Sequence, residues 1–162
     1  MNGAALAAGA LAVALGAYGA VTITGGLGSG PVGVAEARVA DLETGATLYA
    51  QNCASCHGAD LEGEPDWQSA GPDGVFPAPP HDETGHTWHH GDGLLFEITK
   101  LGGAGALEAR GITGTPSGMP AFEGILTDDE IRDVLAYIRS TWPERIQEMQ
   151  AARTQAEQMQ EG

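Results

Sequence analysis

Two cysteines constrain this chain more than any other feature, because it has no others and they lie three positions apart, at Cys53 and Cys56. Thiols so close in sequence cannot form a disulfide framework without straining a very small loop. The same 162 residues include 25 glycines and 9 prolines, a composition that favours turns over long helices or strands. A small, loop-rich domain buries little apolar surface and often needs a metal or a covalent group to hold it together. The two thiols therefore need a use other than pairing with each other.

A histidine follows the second cysteine directly, so that residues 53–57 form a Cys-x-x-Cys-His motif. This motif is the sequence signature of covalent c-type haem attachment, in which both thiols add to the porphyrin and the histidine binds the iron from the proximal side. A zinc site would need a second pair of cysteine or histidine ligands, and a thioredoxin-like motif would need a βαβ context. The motif predicts one covalent haem c, bound by Cys53, Cys56 and His57.

The N-terminal part of the chain has no charged side chain before Glu36. Residues 4–23 are almost entirely apolar or glycine, and about 20 such residues can span a bilayer as a helix. We predict that residues 1–24 form a hydrophobic helix that anchors the protein on the periplasmic side of the bacterial inner membrane. The alternative is a cleaved secretory signal and a soluble periplasmic protein, although no lysine or arginine precedes the apolar residues.

The middle of the chain is predicted to form a haem domain over residues 41–142. Residues 25–40 precede it and are rich in glycine, which is typical of a flexible linker. Residues 58–91 contain five prolines, and these exclude a long helix or a regular sheet in that stretch. We therefore expect an all-α domain with a long irregular loop after the cysteines.

Three helices are predicted inside this domain from apolar residues that recur every three or four positions. The first covers residues 41–53 and ends at the first cysteine, and the second covers residues 92–101 and ends at a pair of glycines. The third follows Thr127, which begins a Ser/Thr-x-x-Glu capping box that ends at Glu130. Pro143 interrupts this last helix.

Four further motifs accompany the haem-attachment motif: Gly-x-x-Leu-Tyr at 45–49, Gly-Met-Pro-Ala-Phe at 118–122, Leu-Thr at 126–127, and Val-Leu-Ala-Tyr-Ile at 134–138. With these motifs the chain resembles the class I cytochrome c family. The resemblance implies an all-α fold in which the first and last helices cross beside the haem, with Gly45 allowing their close approach and Tyr49 and Tyr137 filling the contact. Residues 79–90 are also similar to a bacterial, membrane-associated branch of these cytochromes.

Met119 is the predicted sixth ligand of the haem iron, an expectation that relies on the same resemblance. It lies in a glycine- and proline-containing loop ahead of the last helix, and a thioether is a soft, neutral donor that favours ferrous iron. One alternative is that Met119 packs on the haem without binding the iron. Another is that a histidine of the central loop takes the place of Met119.

Four histidines lie in that central loop, at His81, His86, His89 and His90. Imidazoles at such spacings could bind a copper or zinc ion, but a loop has no fixed face and no thiol or carboxylate is placed beside them by a recognisable spacing. The simpler interpretation is that one or two of them, with Trp88, cover the haem edge or hydrogen-bond to a propionate.

Residues 143–162 form a predicted polar helical tail. They are rich in Gln, Glu and Arg, and Ile146, Met149 and Met159 are their only large apolar residues. So narrow an apolar stripe buries little by itself, which favours a solvated helical extension. The alternative is a helix that binds a partner.

The formal net charge of −15 comes from one lysine, six arginines and 22 acids. Such a surface excludes nucleic acid and anionic membrane surfaces as partners, and it suits redox partner proteins with a basic docking patch. A salt-rich habitat would account for the same acidity.

These features predict an electron-transfer protein and not an enzyme. The haem would pass single electrons between membrane respiratory or photosynthetic components, and a linker between anchor and domain would raise the effective concentration of each encounter. One alternative is a fixed haem subunit of an oxidase or dehydrogenase complex. Another is a haem enzyme or gas sensor with an open sixth position, against which the placement of Met119 argues.

Overall fold

A computed structural model describes residues 38–161 of the chain. This part contains five α-helices and one short 3₁₀ helix, in the following order: α1, Leu42–Asn52; α2, Ala54–His57; the 3₁₀ helix, Thr87–His89; α3, Asp92–Ala109; α4, Asp128–Ser140; and α5, Glu144–Glu161. Between residues 38 and 161 the extended pairing is limited to one isolated bridge, so the predicted all-α class is confirmed. The predicted helix over residues 1–24 and most of the linker lie outside the described residues. None of the helices that the structure describes is both long and apolar enough to cross a membrane.

Helices α1 and α4 cross in close contact, as the resemblance implies. Gly45 is buried at the crossing, and a Cβ atom there would lie well inside 3.0 Å of the carbonyl oxygen of Asp133. The rings of Tyr49 and Tyr137 fill the contact with their centroids 5.6 Å apart. Tyr49 is 1% exposed, and Val134 and Ile138 of α4, in the same apolar cluster, are 1% and 3% exposed. This crossing therefore lies at the centre of the larger apolar cluster, which three residues from other segments complete: Leu61, Trp142 and Ile146.

An ion pair fastens the start of the domain to α4. Asp133 is 1% exposed and accepts two hydrogen bonds from the Arg38 guanidinium, at 2.5 and 2.6 Å, and a third from the backbone N–H of Asp41 at 2.8 Å. The hydrogen bond from Arg38 holds the pKa of the Asp133 carboxyl below its ordinary value, against the opposing effect of burial. Arg38 falls within the predicted linker of residues 25–40, so the domain's contacts begin a few residues earlier than the sequence pattern indicates.

The capping box predicted for α4 is confirmed. The Thr127 side chain accepts a hydrogen bond from the backbone N–H of Glu130, and the Glu130 carboxylate accepts one from the N–H of Thr127 at 2.7 Å. Three acids occupy the first turn of the helix, where they interact favourably with the positive end of its dipole. The helix ends at Ser140, before Pro143, as expected.

Helix α3 differs from its prediction at the glycine pair. Gly102 adopts φ +74° and ψ 166°, so the helical backbone breaks where the sequence predicts an end, but a further helical segment continues to Ala109. The break has a structural cause, since a Cβ on Gly102 would collide with the backbone of residues 119–121. The loop of residues 117–122 therefore packs directly against the break in α3.

Helix α5 differs from the expectation of a solvated extension. Ile146 and Gln150 on one face of it are 3% and 1% exposed, and it packs against the 3₁₀ helix and α3. The Glu157 carboxylate accepts hydrogen bonds of 2.9 Å from the backbone N–H groups of Gly93 and Leu94, which belong to the first turn of α3. Ile146 joins the apolar cluster around Tyr49, and these long-range polar contacts add to it, so one face of the helix is packed against the domain.

Candidate haem site

The two cysteines lie where α1 gives way to the single turn of α2. Cys53 separates the two helices and is half-buried, while Cys56 is exposed, and the two do not form a disulfide with each other. Burial raises the pKa of the Cys53 thiol to about 11. The turn of α2 keeps both thiols and His57 in one short, hydrogen-bonded segment, as covalent attachment of a haem requires.

His57 is buried and has a defined tautomer. Its Nδ1 lies 2.8 Å from the carbonyl oxygen of Pro79, which can only accept a hydrogen bond, so Nδ1 holds the proton and Nε2 has a free lone pair. Burial also lowers the pKa of His57, which keeps the imidazole neutral at pH 7. Tyr49 fixes the end of this segment, because its hydroxyl donates a hydrogen bond to the carbonyl oxygen of Gly58 at 2.9 Å. The geometry presents Nε2 as a metal ligand.

His81 packs directly against His57. Their rings stack with centroids 3.9 Å apart, and burial lowers the pKa of His81 to about 3. The Trp142 indole donates to the carbonyl oxygen of His81 at 2.7 Å, and the hydroxyl of Thr87 lies 2.8 Å from His81 Nδ1. The loop between His57 and His81 has no regular periodicity, so the sequence does not predict that His81 lies beside the proximal ligand.

The other three histidines of the central loop contact aromatic rings. His86 stacks on Trp67, His89 stacks on Trp88, and His90 meets the edge of His86. Across residues 38–161 no group of three or more His, Cys, Asp or Glu side chains is placed to bind a metal ion. The alternative of a copper or zinc site in this loop therefore has no support from the described part of the chain.

Met119 lies in the loop that packs against the break in α3. Its side chain is half-buried against the cluster of Phe122, Leu126 and Ile131. The backbone N–H of Gly103 donates to the Met119 carbonyl oxygen at 3.2 Å, so the break holds the loop directly. Leu48 of α1 packs against this cluster and also against the apolar cluster around Tyr49, on which Cys53 packs. Leu48 therefore links the two halves of the predicted site.

The apolar side chains of α3 show whether a large apolar group fits here. They are only half-buried, although α3 is the most apolar helix in the described part of the chain. The large ones are Leu94, Leu95, Phe96, Ile98, Leu101 and Leu107. Fully buried positions in α3 are limited to Thr99, Gly102 and Ala106. Side chains of this kind normally contribute most when they are completely covered. The residues therefore fit a large apolar group such as a haem, which would cover side chains of α3 that the protein leaves half-exposed.

Comparison with known proteins agrees with this chemistry. The family model described as Cytochrome c matches residues 42–142. The gluconate 2-dehydrogenase cytochrome c subunit of Pantoea cypripedii is 32% identical over 111 residues, which cover 63% of this chain and 21% of that protein. This chain thus spans about a fifth of the length of that relative. No solved structure matches.

The family match extends from the first residue of α1 to Trp142 and contains both cysteines, the proximal histidine and the Met119 loop. It covers more than half of the 162 residues. The all-α architecture and the Cys-x-x-Cys-His motif agree with it independently. The chain therefore belongs to the cytochrome c family and binds a covalent haem c, with which it transfers electrons.

Proposed function

We propose that this protein is a single-electron carrier whose haem is bound covalently by Cys53 and Cys56 and ligated by His57 and Met119. The observation that supports this most strongly is the hydrogen bond from His57 Nδ1 to the Pro79 carbonyl, which leaves Nε2 free and the imidazole neutral. When bound, the haem supplies an iron that cycles between ferrous and ferric. The protein contributes fixed ligands, so little rearrangement accompanies the change of charge.

Each ligand is oriented by the surrounding backbone. The Pro79 carbonyl fixes the tautomer of His57 and increases the basicity of its other nitrogen, as outer-shell partners of metal-binding histidines do. The Met119 segment is held on two sides, because Gly103 donates to the Met119 carbonyl and Ser117 Oγ accepts from the Met119 N–H at 3.3 Å. A thioether donor favours the ferrous state, which suits a carrier of relatively high potential.

The proposed setting is the periplasmic side of the bacterial inner membrane. Residues 4–23 would anchor the domain there, or the protein would be soluble in the periplasm after cleavage of this segment. The haem domain would exchange electrons with membrane respiratory or photosynthetic components. The charge of −15 favours redox partners that dock through a basic patch and makes their association sensitive to ionic strength.

A second candidate is a fixed haem subunit of a dehydrogenase or oxidase complex. The similarity to a cytochrome c subunit of gluconate 2-dehydrogenase favours it, although this chain matches 21% of that protein. Purification of the native protein from membranes distinguishes the two. A stable complex that co-elutes with a dehydrogenase or oxidase would support the fixed subunit, and a protein that elutes alone would support the mobile carrier.

The axial ligation is tested by near-infrared absorption of the oxidised holo-protein. Methionine sulfur bound to ferric haem gives a weak charge-transfer band, which we expect in the wild type and not in Met119→Ala. The matched control is Met159→Ala, since Met159 is 77% exposed on α5 and its loss should leave the band unchanged.

The reduction potential of the same variants provides a second measurement. We expect Met119→Ala to lower the potential, because it removes the donor that favours ferrous iron. A wild-type protein without the band would contradict ligation by Met119. In that case a second histidine ligand or an open sixth position would replace the carrier proposal as the hypothesis to test.

A further inference from the structure

A second feature adjoins Pro79, whose carbonyl oxygen accepts the hydrogen bond from His57. It is a cavity of about 450 Å³ that is lined by aromatic side chains and prolines: Trp67, Gln68, Phe76, Pro77, Pro79 and His86. The rings of Trp67 and His86 are nearly parallel, with an angle of 6° between them and centroids 5.3 Å apart. Phe76 is 58% exposed, so much of its ring is left uncovered at the cavity. We call this feature the aromatic cavity.

Two carboxylates are hydrogen-bonded to backbone next to the lining of the aromatic cavity, and a third belongs to a residue that adjoins the lining in sequence. Asp66 directly precedes Trp67, and Asp73 accepts a hydrogen bond from the backbone N–H of Val75, next to Phe76, at 3.0 Å. Glu64 accepts one from the N–H of Ala78, between the two lining prolines, at 2.6 Å. All three acids are exposed residues. The cavity therefore combines aromatic faces with a negatively charged rim.

Positive charge is missing from this part of the chain. No lysine or arginine occurs between residues 39 and 99, while seven acids occur between residues 58 and 83. The ion pairs formed within residues 38–161 involve carboxylates elsewhere: Asp92, Glu97, Asp128, Asp129 and Asp133. The acids around the aromatic cavity are thus not neutralised by these pairs. A cation from another molecule would meet both an attractive field and aromatic faces.

The cavity also lies beside the haem ligand. Pro79 lines it, and the carbonyl oxygen of the same residue accepts the hydrogen bond from His57 Nδ1. A group bound in the cavity would contact the residue that orients the proximal histidine. A docking site at this position would bring a partner close to the haem through a route of covalent and hydrogen bonds.

From these observations we infer that the aromatic cavity is a docking site for an electron-transfer partner and receives an arginine side chain of that partner. A planar guanidinium stacks on aromatic faces and interacts with carboxylates at the same time, which a compact ammonium does less well. Arginine is also enriched among the residues that dominate protein interfaces. This inference rests on the proposed carrier function and names the surface and the partner chemistry that the function would use.

The experiment uses the full-length, reduced holo-protein, labelled with ¹⁵N, and a tri-arginine peptide as the probe. The peptide with citrulline in place of arginine is the control probe, because citrulline keeps a planar end group and lacks the charge. We expect tri-arginine to shift the indole N–H resonance of Trp67, with smaller effects at Trp88 and Trp142. Tri-citrulline should bind on the order of tenfold more weakly, and added salt should weaken the binding of tri-arginine.

Three variants locate the binding. Trp67→Ala should weaken tri-arginine binding about three- to fivefold, as expected for the loss of one exposed cation–π contact. Asp66→Asn/Asp73→Asn should weaken it by a similar factor, whereas the matched double variant Glu144→Gln/Glu148→Gln removes two carboxylates from α5 and should have little effect. Equal weakening by both double variants, or an unshifted Trp67 indole, would overturn the inference.

The near-infrared band of the same protein preparations, measured after oxidation to the ferric state, separates this inference from the proposed function. If the band is present and the peptide does not bind at Trp67, then the docking site is wrong and the carrier proposal stands. If the peptide binds at Trp67 and the band is absent, then the cavity exists as inferred and the axial ligation is wrong.

Discussion

The crossing of α1 and α4 and the region of α3 contrast in how completely the protein covers its own apolar side chains. At the crossing, Tyr49, Val134 and Ile138 are between 1% and 3% exposed. Along α3 the large apolar side chains are half-buried, and the 117–122 loop that packs on them is largely exposed. The protein covers the apolar side chains of the crossing almost completely, whereas it covers those of α3 only in part. The difference indicates that the packing of α3 depends on the haem more than the packing of the crossing does.

The largest effect is expected when the haem cannot be attached. In Cys53→Ala/Cys56→Ala, backbone amides of α3 should lose hydrogen-exchange protection on the order of 100-fold. Without the haem, the apolar side chains of α3 lose the group that they would pack against, so local opening of this helix costs less free energy. Amides of α1 and α4 should lose much less. The control is Ser55→Ala, which changes the same turn and keeps both thiols. Equal loss of protection in all three helices would contradict the contrast.

A smaller effect is expected when the crossing itself is disturbed. Gly45→Ala places a Cβ against the backbone carbonyl of Asp133, which cannot move aside without shifting α4. We expect the free energy of unfolding of the holo-protein to fall by about 3 kcal/mol, the upper end for overpacking. Gly105→Ala is the matched control, because its new Cβ would meet one side chain at 3.2 Å. That control should change stability by less than about 1 kcal/mol.

The ion pair at the crossing predicts a dependence on pH. The pKa of Asp133 lies below its ordinary value of 3.8, chiefly through its hydrogen bond from Arg38, so its contribution to stability is present at higher pH and disappears as pH falls through that lowered pKa. The melting temperature of Asp133→Asn should therefore lie below that of the wild type at neutral pH. The gap should narrow below about pH 4.

Thermal melts of both proteins between pH 7 and pH 2.5 measure this gap. Asp128→Asn provides the control, because Asp128 pairs with Lys100 at the surface and its side chain is 50% exposed. Exposed pairs contribute little, so this variant should melt close to the wild type across the whole range. A gap between wild type and Asp133→Asn that widens as the pH falls would contradict the assignment of Asp133 as a charged, stabilising residue.

The smallest effect is expected at the contact between α5 and α3. The Gly93 and Leu94 N–H groups each donate to a different oxygen of the Glu157 carboxylate, so Glu157→Gln keeps an acceptor for only one of them and removes a negative charge from a helix N-terminus. Stability should fall by about 0.5–1 kcal/mol, with faster hydrogen exchange confined to the first turn of α3. Glu148→Gln, on an exposed position of the same helix, should leave that turn unchanged. Faster exchange at the α1 and α4 crossing would show that α5 supports the whole core and not α3 alone.

Local patterns predicted much of this fold because the signals were local. The capping box of Thr127 and Glu130 and the apolar periodicity of α1 and α4 each depend on residues within a few positions of one another. The same holds for the Cys-x-x-Cys-His motif. The crossing at Gly45 needed the family resemblance, since a glycine in a helix has no signal of its own for the helix that approaches it.

Other features depended on contacts between distant residues. The bond from His57 to Pro79 spans 22 positions of irregular loop, and the bonds from Glu157 to α3 span more than 60. Neither has a periodicity that a sequence can display. The packing of one face of α5 was therefore not predicted, because its narrow apolar stripe gives no sign of the polar contacts that add to the burial of Ile146. The identity of the sixth ligand stays a prediction for the same reason.

The single lysine of this chain has a practical consequence for finding the partner. Lys100 is the only side-chain amine, and it pairs with Asp128 at 2.8 Å. A carbodiimide reagent joins carboxylates to amines, and the chain offers 22 of the former. When such a reagent joins a carboxylate of this chain to a lysine, that lysine must therefore nearly always belong to another protein. Mass spectrometry of those links would identify the docking face and the partner in one measurement.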